Sequence, residues 1–230
     1  MKSYQDYYKL FLYPLQDKVL EALDHANSVF YLTGGTALGR VYLNHRYSDD
    51  LDFFANNIND FKSQTELCVQ ALNKSISNKI EITLISERFL RLHVKDENAN
   101  LKVEFVNDVT FRSGEPIKTE LFGRTDSINN ILSNKISALS RNEAKDISDI
   151  WQISLNHNFN WKEIISDAKQ KDMWVDESEV LSLIKSFDLE RLNEVKWINV
   201  IDIHEIIRDF EIIVEDILWG NNNRLVSIRK

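Results

Sequence analysis

Two aspartates separated by a single residue, Asp50 and Asp52, begin an apolar segment at residues 50–54 (DLDFF). Side chains alternate across a β-strand, so both carboxylates are expected on one face while Leu51 and Phe53 point into the core. Two unpaired carboxylates about 4 Å apart repel each other by about 4 kcal/mol at an effective dielectric constant of about 20. A hard cation such as Mg²⁺, which binds oxygen ligands at about 2.1 Å, removes that repulsion. The pair therefore predicts a divalent-metal site.

A glycine turn comes shortly before this pair. Residues 28–33 (SVFYLT) are typical of a short strand, which ends at Gly34 and Gly35, and Thr36 lies near the start of a short helix. Glycines let the backbone approach phosphate oxygens, and a helix N-terminus offers N–H groups and partial positive charge. Alone, an Asp-x-Asp pair or a double glycine usually marks a solvated strand end or a turn. Their order along this chain favours a nucleotide phosphate site.

A later strand offers a third carboxylate. In residues 101–106 (LKVEFV), alternation puts Leu101, Val103 and Phe105 on one face and Glu104 on the other. If this strand lies beside residues 50–54, Glu104 is a candidate third metal ligand. It could also help to deprotonate an attacking hydroxyl group.

A helix-like stretch at residues 126–153 combines a lysine with two aspartates. On one continuous helix, Asp146 and Asp149 would fall about 20° and −40° from Lys135, close to the same face. This arrangement suits a lysine that binds phosphate and an aspartate that orients it or approaches the acceptor. A break at residues 140–145 (SRNEAK) would void these angles, and a surface helix with ordinary ion pairs is the alternative interpretation.

The composition is that of an ordinary globular protein, with 43% hydrophobic and 28% charged residues among 230. The net charge of −8 argues against broad, non-specific nucleic-acid binding but leaves room for a local basic groove. Cys68 is the only cysteine, which excludes an internal disulfide and a Cys-rich zinc site. The five histidines lack zinc-ligand spacing. Without a signal-like N-terminus or a transmembrane-length apolar run, a cytoplasmic location with no membrane partner is expected.

The elements that would position these residues change character along the chain. The first half alternates strands with helices. Helices are predicted at residues 3–26, with an interruption near Pro14, and at residues 58–75. Further strands are predicted at residues 79–85 and 89–95. The second half is almost wholly helix-like, most clearly at residues 202–219. A boundary is placed in the irregular stretch after residue 110. The sequence thus predicts a mixed α/β (α+β) domain at 1–110 and a helical domain at 111–230.

Three segments in this order resemble a known family. GGTAL at 34–38, RYSDDLDF at 46–53 and NKISALSRNEAKDISDIW at 134–151 are similar to the AbiEii/AbiGii toxin family of nucleotidyltransferases, within the polymerase-β-like superfamily. The resemblance covers residues from about 30 to 155. It implies a mixed sheet with flanking helices, and a C-terminal helical domain that completes a nucleoside-triphosphate site.

The resemblance also implies roles for individual residues. Asp50 and Asp52 would bind metal, and Glu104 stands where the superfamily more often has Asp. Lys135 matches the helix lysine of the family, and its downstream aspartate is Asp149, with Asp146 as the competing candidate. Cofactor binding would involve Gly34, Gly35, Thr36, Arg46, Lys135 and Asp146, and the catalytic set would be Asp50, Asp52, Glu104, Lys135 and Asp149.

The expected activity is Mg²⁺- or Mn²⁺-dependent transfer of a nucleoside monophosphate from an NTP to an acceptor. Family analogy makes a tRNA 3′ end the leading acceptor and implies a toxin of a toxin–antitoxin or phage-defence (abortive infection) system, with a separate antitoxin protein as partner. Two alternatives stay open. One is transfer to an aminoglycoside-like small molecule, and the other is a non-catalytic nucleotide-binding regulatory module, with Glu104 marking lost catalysis.

Overall fold

A five-stranded mixed sheet is the central feature of the computed structural model, which describes residues 4–228. The strands are β1 (Tyr31–Thr33), β2 (Leu51–Asn56), β3 (Lys79–Ile85), β4 (Phe89–Lys95) and β5 (Asn100–Asp108). Their order in the sheet is β1-β2-β5-β4-β3; β2 and β5 run parallel and the other neighbours antiparallel. The predicted strands and the mixed sheet with flanking helices are therefore confirmed.

The chain forms two compact units whose segments are interleaved. The first unit comprises Met1–Val41, Tyr47–Thr110 and Glu115–Asp126. The second comprises Tyr42–Arg46, Phe111–Gly114 and Ser127–Lys230. The sequence predicts one boundary, between residues 110 and 111, whereas the chain crosses between these units several times.

Helices accompany the sheet in the first unit. They are α1 (Tyr4–Tyr7), α2 (Tyr13–His25), α3 (Gly34–Ala37) and α4 (Phe61–Ser75), with a π-helical segment at Tyr8–Leu12. A second π-helical segment, Leu38–Leu43, begins in this unit and ends with two residues assigned to the second unit. The predicted interruption near Pro14 is a change of helix type at Tyr13, because a proline in the first turn of a helix costs no intrahelical hydrogen bond. Helix α2 packs against α4. Ser3, the first residue of the predicted helix, lies outside the described residues.

The second unit is helical, as predicted. Its helices are α5 (Ile128–Ser137), α6 (Ala144–Asn156), α7 (Trp161–Lys169), α8 (Glu177–Ser186), α9 (Ile203–Trp219) and α10 (Leu225–Ile228). The apolar residues of 202–219 that recur at helical spacing predict one buried face. In α9, Ile206, Phe210 and Ile217 of this set are buried, whereas Ile207 and Leu218 are exposed. No helix in the described part of the chain is long and apolar enough to cross a membrane.

The predicted helix over residues 126–153 is broken. Helix α5 ends at Ser137, a 3₁₀ turn covers Leu139–Arg141, and α6 begins at Ala144. Asn142 has a φ of 55°, the left-handed conformation that ends a helix and turns the chain away from its axis. The helical angles calculated for Lys135 therefore do not apply, and its neighbours are set by how α5 packs against α6.

Candidate functional site

Strand register brings two of the predicted acidic residues together. Asp50 immediately precedes β2, and Asp52, inside β2, is aligned with Glu104 of the parallel strand β5. Leu51 and Phe53 are fully buried, so the alternation predicted for this strand is confirmed. Aligned residues of neighbouring strands point to the same side of a sheet, which places Asp52 and Glu104 on the polar face. We call Asp50, Asp52 and Glu104 the carboxylate face.

The glycine turn lies directly against this face. Gly34 has a φ of 69°, and a Cβ atom built on it would lie 2.5 Å from Oδ2 of Asp52. Only glycine allows both that backbone conformation and that close approach. The hydroxyl group of the buried Thr36 donates a hydrogen bond to the backbone oxygen of Asp50. The turn therefore holds the carboxylates in place, and phosphate binding by its backbone stays a prediction.

Two cations lie among the carboxylates. The Nζ atom of Lys102 is 3.0 Å from Oδ2 of Asp50 and 3.3 Å from Oε1 of Glu104. On β4, Arg91 is aligned with Glu104 and donates to its Oε1 atom from Nε at 2.6 Å. Burial lowers the pKa of the Lys102 ammonium, but Asp50, Glu104 and Asp52 outweigh this and raise the pKa above its ordinary value. Lys102 is therefore a permanent positive charge on the carboxylate face.

The donor set suits a hard divalent ion at two positions. Asp50 and Asp52 offer carboxylate oxygens on one face, which is the chemistry that Mg²⁺ prefers. At the third position, Glu104 is held by Arg91 and Lys102. Within residues 4–228, no three His, Cys, Asp or Glu side chains are grouped closely enough to hold a metal ion. Metal binding by Asp50, Asp52 and Glu104 stays a prediction.

A second polar group, which we call the buried charge cluster, lies in the second unit. It consists of His45, Arg46, Lys135, Asp146 and Asp149. The Asp149 side chain is fully buried; it accepts from Nε and Nη2 of Arg46, both at 2.7 Å, and from Nε2 of His45 at 2.8 Å. The Nζ atom of Lys135 lies 2.8 Å from Oδ2 of Asp149 and 2.7 Å from Oδ1 of Asp146.

The cluster is electrically balanced. Burial raises the pKa of the Asp149 carboxyl, but Arg46 and Lys135 outweigh it and hold that pKa well below its usual range. Burial lowers the pKa of the Lys135 amine, and Asp149 and Asp146 reverse this, so that the pKa is raised. Two carboxylates thus face two cations. This mutual compensation explains how ionised groups persist at a buried position.

His45 is the neutral member of the cluster. Burial lowers its pKa, and its hydrogen bond to Asp149 opposes that shift only in part. Because ionised Asp149 can only accept, Nε2 of His45 carries the proton and Nδ1 is an acceptor. Nδ1 is buried without a hydrogen-bond partner.

The predicted site residues therefore fall into two groups, one in each unit. Gly34, Gly35, Thr36, Asp50, Asp52 and Glu104 belong to the first unit, and Arg46, Lys135, Asp146 and Asp149 to the second. Sequence reasoning missed Lys102, Arg91 and His45. Lys102 had a visible signal, because it precedes Glu104 by two residues and alternation puts both on one face. Arg91 had none, since its partner lies in another strand. His45 directly precedes Arg46 and is the histidine nearest the predicted site in sequence, but a loop histidine is more often structural or solvated.

The profile of a known nucleotidyltransferase family matches the part of the chain that contains both groups of site residues. The profile of a family described as nucleotidyl transferase AbiEii toxin, type IV toxin–antitoxin system, matches residues 18–209. That range includes the glycine turn, the carboxylate face and the buried charge cluster. No curated protein sequence matches the chain.

Two solved structures from Helicobacter pylori share the fold of this chain at low sequence identity. A candidate nucleotidyltransferase from H. pylori is 20% identical with a TM-score of 0.57, covering 94% of this chain and 96% of that chain. JHP933 from Helicobacter pylori is 20% identical with a TM-score of 0.58, covering 94% and 93%. MenT4, a nucleotidyltransferase toxin from Mycobacterium tuberculosis H37Rv, is 19% identical with a TM-score of 0.47, covering 76% and 63%. Since the family profile spans most of the sequence, this chain belongs to the AbiEii family of nucleotidyl transferase toxins, and the predicted enzyme class, nucleotidyltransferase, is confirmed.

Proposed function

We propose that this protein transfers a nucleoside monophosphate from an NTP to the 3′ end of a tRNA, as the toxin of a toxin–antitoxin system. The observation that carries the proposal is the alignment of Asp52 with Glu104 across a parallel strand pair, with Asp50 at the start of the same strand and Gly34 against the Asp52 carboxylate. Family membership supports the transfer chemistry and an antitoxin as partner.

Asp50 and Asp52 are the proposed ligands of Mg²⁺ or Mn²⁺, with Glu104 as a third candidate. When bound, a divalent ion supplies charge stabilisation for the attacking and leaving oxygens of phosphoryl transfer. Nucleotidyltransferases of this family generally use an NTP and a divalent metal. The choice of Mg²⁺ rests on the hard oxygen donors of the two aspartates.

The other proposed roles belong to residues of the chain itself. In the reaction, an acceptor oxygen forms a bond to the α-phosphorus while the bond to the departing pyrophosphate breaks. Glu104 can accept the proton of the acceptor hydroxyl, and the backbone of Gly34, Gly35 and Thr36 can bind phosphate oxygens.

The buried charge cluster supplies the proposed phosphate lysine. Lys135 exchanges an aspartate oxygen for a phosphate oxygen, while Arg46 anchors Asp149 through two parallel hydrogen bonds. Asp146 and Asp149 orient the ammonium group before the exchange. Oδ2 of Asp146 is buried and has no hydrogen-bond partner, so Asp146 is the carboxylate with an unused acceptor.

A nucleic-acid acceptor is favoured over a small cationic one by the charges on the carboxylate face. Lys102 and Arg91 lie there among the acids, and together with a bound divalent ion they would give this group of side chains a net positive charge, which attracts a polyanion and repels an aminoglycoside. The overall net charge of −8 works against broad binding of nucleic acid. A tRNA would therefore be bound through a local set of cations.

Incubation of the protein with each α-labelled NTP, Mg²⁺ and total tRNA tests this proposal. Label is expected in tRNA with the wild-type protein and in no product with Asp52→Asn, which keeps the side-chain shape but removes the charge. Label in an added aminoglycoside instead would replace tRNA by a small-molecule acceptor. NTP binding without any labelled product would identify a regulatory module and exclude the proposed enzyme activity.

A further inference from the structure

We propose that Lys102 is a built-in counter-cation of the carboxylate face, which neutralises Asp50 before a metal binds and is released to a phosphate group of the substrate afterwards. The inference rests on the proposed role of Asp50 and Asp52 as metal ligands. It assigns a function to a side chain that the family resemblance does not include.

The position of the ammonium group is the first argument. Nζ of Lys102 contacts Oδ2 of Asp50 at 3.0 Å and Oε1 of Glu104 at 3.3 Å, so it links two of the carboxylates proposed as metal ligands. The Lys102 side chain is 30% exposed and that of Asp50 33% exposed. The pair is thus neither sealed in the core nor fully solvated, and it can open without unfolding the sheet.

Charge balance is the second argument. Taken by themselves, the three carboxylates of this face and the two cations Lys102 and Arg91 have a formal net charge of one negative unit. Arg91 donates to Glu104. Of these two cations, only Lys102 is shown bound to Asp50. The Lys102 ammonium group is therefore the positive charge that a metal ion would replace at the Asp50 carboxylate.

Release of Lys102 follows from the same geometry. A divalent ion held by Asp50 would compete with the ammonium group for the carboxylate, and its double charge would favour displacement of Lys102 from Oδ2. Three carboxylates with a divalent ion and two side-chain cations then carry one net positive charge. A face of that sign attracts the polyanionic triphosphate, and the freed ammonium is a point charge suited to a phosphate oxygen.

Calorimetric titration of Mn²⁺ into metal-free protein, without nucleotide, tests the first half. Lys102→Met removes the competing charge and is expected to bind Mn²⁺ about tenfold tighter than wild type, the order expected for one charge-assisted hydrogen bond. Lys95→Met is the matched control, because Lys95 pairs with Glu81 at 2.8 Å in the same sheet and is 37% exposed. Its Mn²⁺ affinity should equal that of wild type.

Lys102→Arg keeps the charge and should keep the wild-type Mn²⁺ affinity; a gain equal to that of Lys102→Met would overturn the proposal. Thermal unfolding of each metal-free variant verifies that it is folded. The second half is tested by binding of a non-hydrolysable NTP at saturating Mn²⁺, which Lys102→Met should weaken about tenfold by removing one charge-assisted contact.

Asp52→Asn separates this proposal from the function on which it rests. If Asp52→Asn loses Mn²⁺ binding while Lys102→Met binds Mn²⁺ no tighter than wild type, the role of Lys102 is wrong and the metal site stands. If Asp52→Asn binds Mn²⁺ as well as wild type, the metal ligands themselves are wrongly assigned. Unweakened NTP binding by Lys102→Met would overturn its release to phosphate.

Discussion

At the scale of single residues, Gly34 links the backbone conformation of the turn to the position of Asp52. A Cβ atom at Gly34 would lie 2.5 Å from the Asp52 carboxylate, at a backbone φ of 69°. Gly34→Ala should therefore lose about 1–2 kcal/mol of stability from the left-handed backbone and also displace Asp52, which abolishes Mn²⁺ binding. Urea unfolding and metal titration measure the two effects.

Gly114→Ala is the control for that substitution. Gly114 has a similar φ of 72°, but the atoms nearest to its added Cβ belong to Ser127, at 3.1 Å and beyond. It should lose comparable stability and keep Mn²⁺ affinity. If Gly34→Ala binds Mn²⁺ like Gly114→Ala, the turn does not position the metal ligands.

Asp149 is the residue on which the buried charge cluster depends. Asp149→Asn leaves Arg46 and Lys135 facing a neutral amide, so the free energy of unfolding should fall by about 3–5 kcal/mol. Urea denaturation at neutral pH measures this loss. Glu81→Gln, which breaks the exposed pair with Lys95, should change stability far less. Equal effects in the two variants would contradict a structural role for the cluster.

At the scale of elements, the reversal between α5 and α6 brings Lys135 to Asp149. Asn142 holds the left-handed conformation at this reversal, with a φ of 55°. Asn142→Ala should destabilise the protein by about 1–2 kcal/mol relative to Asn142→Gly, because both variants lose the side chain and only alanine resists a positive φ. Urea unfolding compares the two. Equal stabilities would mean that the reversal relaxes without this conformation.

The strands were predictable and this reversal was not, for a physical reason. Strands such as 101–106 show a two-residue alternation of apolar and polar side chains that depends only on neighbours in sequence. In the stretch 126–153 the residues 140–145 are a candidate break, but apolar residues recur at helical spacing on both sides, so the pattern does not show whether the chain turns there. Packing of α5 against α6 and α7 decides the break.

At the scale of the whole molecule, stability should depend on pH through His45. Its pKa is lowered in the folded state, so the unfolded chain binds more protons as the pH falls below about 6.5. The free energy of unfolding should therefore decrease from about pH 6.5 downwards until the folded pKa is passed. The pKa of His157 is lowered as well and adds to this slope. His45→Gln should flatten the slope in urea unfolding between pH 8 and pH 5, whereas the exposed His204 replaced by Gln should not.

The contribution of Asp149 to the free energy of unfolding is lost at low pH, and that of Lys135 is lost at high pH. The lowered pKa of Asp149 contributes stability above its unfolded pKa of about 3.9, which is lost as the pH falls through the folded value. The raised pKa of Lys135 contributes stability below about pH 10.4, which is lost as the pH rises through the folded value. Between these limits Asp149 and Lys135 both keep their charges.

The sequence by itself determined the features that depend on near neighbours. Strand alternation puts Asp50 and Asp52 on one face, the double glycine marks a turn, and the order of the three segments identified the family. Only the tertiary structure decided which distant residues meet. Arg46 lies 103 residues from Asp149, and the register of β2 with β5 selects Glu104 as the neighbour of Asp52. Such contacts depend on the packing free energy of the folded chain, which no local spacing encodes.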